Sequence, residues 1–291
     1  MKTSVFDQIK YFFQQKSMLV SLVKINIFVW LPIAFISLLS SLFQSMFAEE
    51  LLNWLAVPSS IDRFISRPWT LLTYMFLHKD FLHILFNMLM LYFGGTLFIQ
   101  FIGEKKLLQT YILGGILGGI FYMGAFNIFP VFEQIVNFSV ALGASASVIA
   151  ILIAIATYVP ETRVQLMFLG SVKLKYIAIV LILFDLLSIE KGNPGGHIAH
   201  LGGAFYGALF ALNLKYRLLT FPDFNFKKLF VRKHKLKYTK NPSRPVSDEK
   251  YNEMKLEKQK RIDEILDKIS KSGYEKLSKE EKEFLFKSSN N

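Results

Sequence analysis

The chain has 291 residues, of which 52% are hydrophobic, 15% aromatic and only 19% charged; an ordinary soluble domain carries about 25% charged residues. Residues 1–213 hold 13 Lys/Arg and 10 Asp/Glu, residues 214–291 the other 21 and 12, so three-quarters of the +12 net charge belongs to the tail. These figures exclude an ordinary soluble enzyme and a disordered chain. The lack of cysteine also excludes a disulfide scaffold, a thiolate nucleophile and any Cys-based metal site.

A spanning helix needs about 20 mostly apolar residues. In chain order the sequence predicts a basic N-terminal segment over 1–24, then six candidate spans at 25–47, 81–101, 107–129, 141–158, 176–189 and 197–214. The fifth is short and carries Asp185, and the sixth opens on His197 and His200. The first is too long for a signal-peptide core and is read as retained. Together, residues 25–214 read as an all-α polytopic membrane domain. Residues 215–246, rich in Lys/Arg and containing Pro242 and Pro245, read as a linker, and 247–291 as a small cytosolic helical hairpin. In that hairpin Ile262, Ile265, Leu266 and Ile269 recur at helical spacing, Gly273 suits a C-terminal cap, and Ser278 with Glu281 fits a capping box.

The Lys/Arg bias orients the spans. Lys2, Lys10, Lys16, Lys24, Lys105, Lys106, Arg163, Lys173, Lys175 and the tail fall on one side; Arg63, Arg67, Lys79 and Lys191 fall on the other. Both termini are expected in the cytoplasm and the connection 48–80, with Trp54 and Trp69, outside or at the outer interface. A basic tail near anionic lipid accounts for the charge without nucleic acid.

Polar side chains inside spanning helices are costly and are therefore functional candidates. His83 and Asn87, Gly143-Ala-Ser145-Ala-Ser147, and His197 with His200 all fall near the outer ends of their helices. Small residues recur every fourth position at Ala146, Ala150 and Ala154, and again at Ala199, Gly203 and Gly207, a spacing that lets two helices approach closely. If these stripes meet, Ser145 and His200 flank the seam as a nucleophile–base pair. His83 and Asn87, one turn apart, and the backbone N–H of Ser145 could then serve a developing oxyanion. No Asp or Glu stands near His200 in sequence, so its imidazole would be held by packing; Asp185 reads as a structural acid and Ser147 as a packing residue. His78 reads as a loop residue at the interface. The outer-side histidines 78, 83, 197 and 200 invite zinc, but neither H-E-x-x-H nor acidic ligands accompany them, so no metal and no cofactor is expected.

At these residues the chain resembles the rhomboid family of intramembrane serine proteases, in its bacterial six-helix form with a cytoplasmic tail. His83-x-x-x-Asn87 followed by Gly94-Gly95, Gly143-Ala-Ser145-Ala146, and Ala199-His200-x-x-Gly203-x-x-x-Gly207 match three family motifs in order, over roughly residues 60–210. The resemblance implies Ser145 as nucleophile, His200 as general base, His83 and Asn87 as oxyanion donors, and transmembrane protein substrates entering laterally near the fifth helix. It also implies a serine endopeptidase using a Ser–His dyad, seated in a bacterial inner membrane with its active site toward the outer side. The sequence departs from the family at Ala146, at Thr70 after Trp69 where Arg is frequent, and at Ile149 where some members stack a Tyr on the catalytic histidine. A catalytically silent relative that binds transmembrane segments is the alternative. A small transporter is a third reading, but it would need polar groups on both sides of the midplane.

Overall fold

A computed structural model describes residues 4–166, 170–190, 192–217 and 248–289. Lys191 and nearly all of the expected linker, with Pro242 and Pro245, lie outside the described residues. The chain divides into two compact units, Met1–Phe224 and Asn225–Asn291.

The first unit begins with α1 (Val5–Gln14), capped by Ser4 and Asp7. Helix α2 (Met18–Leu42) starts seven residues before the expected span, because the Ser17 hydroxyl caps the Val20 N–H, and it stops at Leu42, just before Gln44 takes a left-handed φ of 50°. Lys24 therefore sits inside the helix with its side chain exposed, where a long stem can carry the ammonium toward water. The connection between α2 and the next long helix is structured. It contains α3 (Phe47–Leu55), strand β1 (Val57–Pro58), α4 (Ile61–Ser66), α5 (Thr70–Thr73) and a 3₁₀ turn at Tyr74–Phe76. Trp69 stacks on Trp54 and donates its Nε1–H to the Trp54 carbonyl at 3.0 Å, while Arg67 lies over the Trp54 ring.

Helices α6 (Phe81–Phe101) and α7 (Glu104–Ile128) follow. Strand β2 (Val140–Ala141) pairs antiparallel with β1, bringing Val57 opposite Ala141, and leads into α8 (Ser145–Tyr158). Every residue of α8 from Ala146 to Ala156 is buried, and α6, α7, α9 and α10 pack around it. A hairpin of β3 (Arg163–Leu166) and β4 (Gly170–Lys173), with Glu161 bridging Lys173 and Lys175, joins α8 to α9 (Leu174–Ser188). Helix α10 (Pro194–Tyr216) has Pro194 at its first position and an Asn193 cap on Gly196 N–H, the arrangement a proline favours at a helix start.

Among the described residues, α2, α6 and α7 are long and apolar enough to cross a membrane. Helix α8 is apolar but only 14 residues long, and α9 has 15. Phe28 and Phe35 on α2, Phe81 and Phe86 on α6, and Val180 and Phe184 on α9 face outward. That collar suits acyl chains and not water, and the protein is an integral membrane protein with a mostly helical fold.

The expected small-residue stripes do meet. A Cβ on Gly203 would collide with the Ala146 carbonyl, and one on Gly207 with that of Ala150. A second stripe comes from α7, where Gly114 and Gly118 lie against the methyl groups of Ala150 and Ala146. Helix α8 is thus clasped by glycines on two sides. Asn26 on α2 is a further polar residue inside an apolar helix. It is fully buried, donates to Leu22 O at 2.8 Å and to Tyr111 Oη at 3.1 Å, and Tyr111 donates in turn to Met75 O at 2.9 Å.

In the second unit, α11 (Asp248–Ser272) and α12 (Lys279–Ser289) are joined through Gly273, at φ 81°, and a 3₁₀ turn at Tyr274–Lys276. The capping box is present: Ser278 N–H donates to Glu281 at 2.7 Å and Glu281 N–H to Ser278 Oγ at 3.2 Å. Lys268 pairs with Glu281 at 2.7 Å, and Ile265 and Leu277 are buried.

Candidate active site

Ser145 is the first residue of α8, so its backbone N–H and the next two lie in the helical turn that has no intrahelical acceptors. What precedes it is held firmly. β2 is pinned to β1, and Gly143 N–H donates to Tyr74 O at 2.9 Å while the Tyr74 hydroxyl donates to Gly115 O at 2.5 Å. Gly143 turns the chain with φ 134°, a conformation L side chains avoid. A Cβ there would lie 2.9 Å from His83 Nε2 and 3.6 Å from Ser145 Oγ. The missing side chain is therefore what lets the His83 ring and the Ser145 hydroxyl share one small space at the head of α8.

His83 comes from the first turn of α6. Asp80 caps this helix, accepting from His83 N at 2.9 Å. His83 Nδ1 accepts from Lys79 N at 3.5 Å, which leaves the ring proton on Nε2, the nitrogen beside Gly143. Asn87, one turn on and buried, donates from Nδ2 to the His83 carbonyl at 2.8 Å. One amide N–H is thus committed to its own helix, and among the described residues no hydrogen bond takes the other. His78 lies, as expected, in the short loop between the turn at Tyr74–Phe76 and α6, but it is buried. It is 1% exposed, with its ring edge-on to His83 at 5.1 Å between centroids. Burial pushes its pKa down to about 4, with His83 the next contributor.

On α10, His200 stands one turn before Gly203, and Gly203 rests on Ala146, the residue after Ser145. Among the described residues no hydrogen bond joins Ser145 Oγ to His200. The strongest contact of His200 was not foreseen. Its Nδ1 lies 2.8 Å from Asp185 Oδ1 on α9, and His197 Nδ1 lies 2.8 Å from the same oxygen. The imidazole is therefore not held by packing alone. The acid lies 15 residues earlier on a different helix, and its only signal in the sequence was a carboxylate inside an apolar span. These three ligand atoms lie within 4.8 Å of one another, so the acidic partner that zinc would need is present after all. Ser147 is fully buried against Gly115 and Met75 and has no part in this space. Ile149 packs with Ile153 and Ala204, away from any stacking role.

Residues 66–217, just over half the chain, match the family described as Rhomboid domain, and residues 247–291 match a family of unknown function, DUF6576. The chain is 35% identical over 166 residues to RHOMBOID-like protein 12, mitochondrial, of Arabidopsis thaliana, a match covering 52% of this chain and 48% of that protein. It is 27% identical over 144 residues to presenilin-associated rhomboid-like protein A, mitochondrial, of Danio rerio, covering 45% of this chain and 34% of the relative. Against the human presenilin-associated rhomboid-like protein, mitochondrial, it is 26% identical over 140 residues, with the same coverage. The chain thus spans half or less of the length of these relatives.

Proposed function

The chain belongs to the rhomboid family, and on that premise we propose that it is an intramembrane serine endopeptidase that cuts transmembrane or juxtamembrane segments of other membrane proteins. The observation that carries the reading is the Gly143 turn, which sets the Ser145 hydroxyl and the His83 Nε2–H around one point at an open helix N-terminus. In the reaction His200 Nε2 takes the Ser145 proton as Oγ attacks the scissile carbonyl, and the C=O pair moves onto oxygen. His83 Nε2–H, the backbone N–H of Ser145 and the spare Asn87 amide hydrogen stabilise that oxyanion. The tetrahedral species collapses as His200 protonates the leaving amine, and water, deprotonated by His200, then releases the acyl group from Ser145. The substrate helix must unwind locally, because an intact helix keeps its carbonyls in hydrogen bonds.

The six-span arrangement of the bacterial type, with both termini on the Lys/Arg-rich side and the site toward the opposite face, belongs to the same proposal, as does the cytosolic placement of 247–291. A bacterial inner membrane draws no support from the relatives, all three of which are mitochondrial by name. A site with no Ser145–His200 hydrogen bond among the described residues is what a silent, helix-binding relative would also have; catalytic hydrogen bonds often close only around substrate.

The test is cleavage of a transmembrane reporter by purified wild type and Ser145→Ala in liposomes, with a fluorophosphonate probe alongside. Wild-type cleavage and labelling that Ser145→Ala abolishes sustain the proposal. Folded wild type that neither cuts nor labels gives the silent reading, and cleavage that survives Ser145→Ala moves the nucleophile elsewhere.

A further inference from the structure

The carboxylate absent from the sequence around His200 arrives from α9. Asp185 keeps only 6% of its side-chain exposure, and its Oδ1 meets the Nδ1 atoms of His197 and His200, each at 2.8 Å. These two histidines stand three residues apart on α10, so the acid reaches across the α9–α10 seam to one short stretch of the neighbouring helix. An ionised carboxylate can only accept, so each imidazole must present a hydrogen at Nδ1. A neutral ring with its proton on Nδ1 has its lone pair on Nε2, which is the nitrogen a general base must use. The opposite tautomer would aim a donor at the serine and could not take its proton.

We infer that Asp185 is the positioning residue of the site: it fixes the ring orientation and the Nδ1–H tautomer of His200, while His197 braces the same carboxylate oxygen from a second direction. The inference rests on the reading of His200 as general base and extends its dyad to Ser145–His200–Asp185. A buried carboxylate requires such partners. With two N–H donors on one oxygen, Asp185 is satisfied whether or not substrate is present, so the base is set before the reaction starts.

The decisive measurement is nitrogen-15 NMR of ring-labelled histidine in the full-length protein in detergent micelles, with His200→Gln used to assign the His200 signals. Reporter kinetics accompany it. Wild type should show the His200 proton on Nδ1. Asp185→Asn should move it toward Nε2 and lower kcat by about tenfold or more with KM held within about twofold. Asp185→Glu should restore the Nδ1–H signature and part of the lost kcat. A wild-type His200 already protonated on Nε2 overturns the inference without any variant, should Asp185→Asn fail to fold. So does an Asp185→Asn enzyme with unchanged kcat. Stoichiometric zinc uptake by chelator-stripped wild type, lost in Asp185→Asn and shifting both His197 and His200 signals, would mean that the trio is a metal site and would overturn it as well. If wild type neither cuts nor labels, the protease reading fails, and the nitrogen signals still decide whether Asp185 sets the His200 ring.

Discussion

Gly203 on α10 faces Ala146 on α8 so closely that a Cβ on the glycine would strike the Ala146 carbonyl oxygen, and Gly207 meets Ala150 in the same way one turn further along. The obstacle in both places is backbone, which cannot rotate aside as a side chain can. Ser145 immediately precedes Ala146 and His200 precedes Gly203 by one turn, so this seam sets the spacing between proposed nucleophile and base.

Gly203→Val should therefore force α8 and α10 apart. The expected cost is about 2 kcal/mol or more, as for overpacking of a tight core, together with loss of probe labelling at Ser145. Gly124 on α7 has nothing within 4 Å of a Cβ position, and Gly124→Ala should hold or slightly raise stability, since alanine is the better helix former. Thermal unfolding in detergent compares the two; equal midpoints for Gly203→Val and wild type would show that the seam yields.

Gly143→Ala should damage the site more than the fold. The new methyl would occupy the space beside His83 Nε2 at 2.9 Å, and the backbone at φ 134° resists any L residue. Displacing one oxyanion donor costs about 10²–10³ in kcat in acyl-transfer enzymes, so cleavage should fall by about a hundredfold with near-normal expression and helicity. Retention of more than about a tenth of wild-type kcat would place the oxyanion away from His83.

Tyr111→Phe removes one hydroxyl that serves both the Asn26 side chain and the Met75 carbonyl. Neither partner reaches water, because Asn26 and Met75 are both fully buried. Stranding buried polar groups costs about 1–3 kcal/mol, and the unfolding midpoint should drop accordingly. Pairing it with Asn26→Leu should recover part of that loss in a double-mutant cycle. Simple addition of the two effects would mean that α2 and α7 are not coupled through this clamp.

How much of this was written in the sequence depends on how local each signal is. The helices, the opposed alanine and glycine stripes, and the Ser278–Glu281 capping box could be read because periodicity and caps act within one or two turns. Ser145, His83 and His200 stood out because each polar group interrupts an apolar run. The Asp185 contact could not be read, since no local rule says which face of α9 meets α10 across the intervening turn. The same reason hid Asn26, whose partner Tyr111 lies 85 residues away. The structure within the 48–80 connection was hidden too, because the strand pair of β1 with β2 joins segments separated by α6 and α7. The burial of His78 was hidden for a related cause: a loop histidine beside Lys79 and Asp80 carries no local sign that the His83 ring packs edge-on against it.

That burial has a consequence for pH. His78 is 1% exposed, and desolvation, followed by the neighbouring His83, brings its pKa to about 4. An unfolded histidine titrates near 6.5. Between those values the unfolded chain binds the proton and the folded one does not, so stability rises with pH across the window and is lost as pH falls from about 6.5 toward 4. At about 1.4 kcal/mol per unit of difference, the loss is at most about 3.5 kcal/mol. His78→Phe, which keeps a ring against His83 and cannot take a proton, should flatten that part of the stability profile. Unfolding midpoints of wild type and variant at pH 7.5, 6, 5 and 4.5 measure it. Parallel profiles for the two proteins would assign the acid sensitivity to another group.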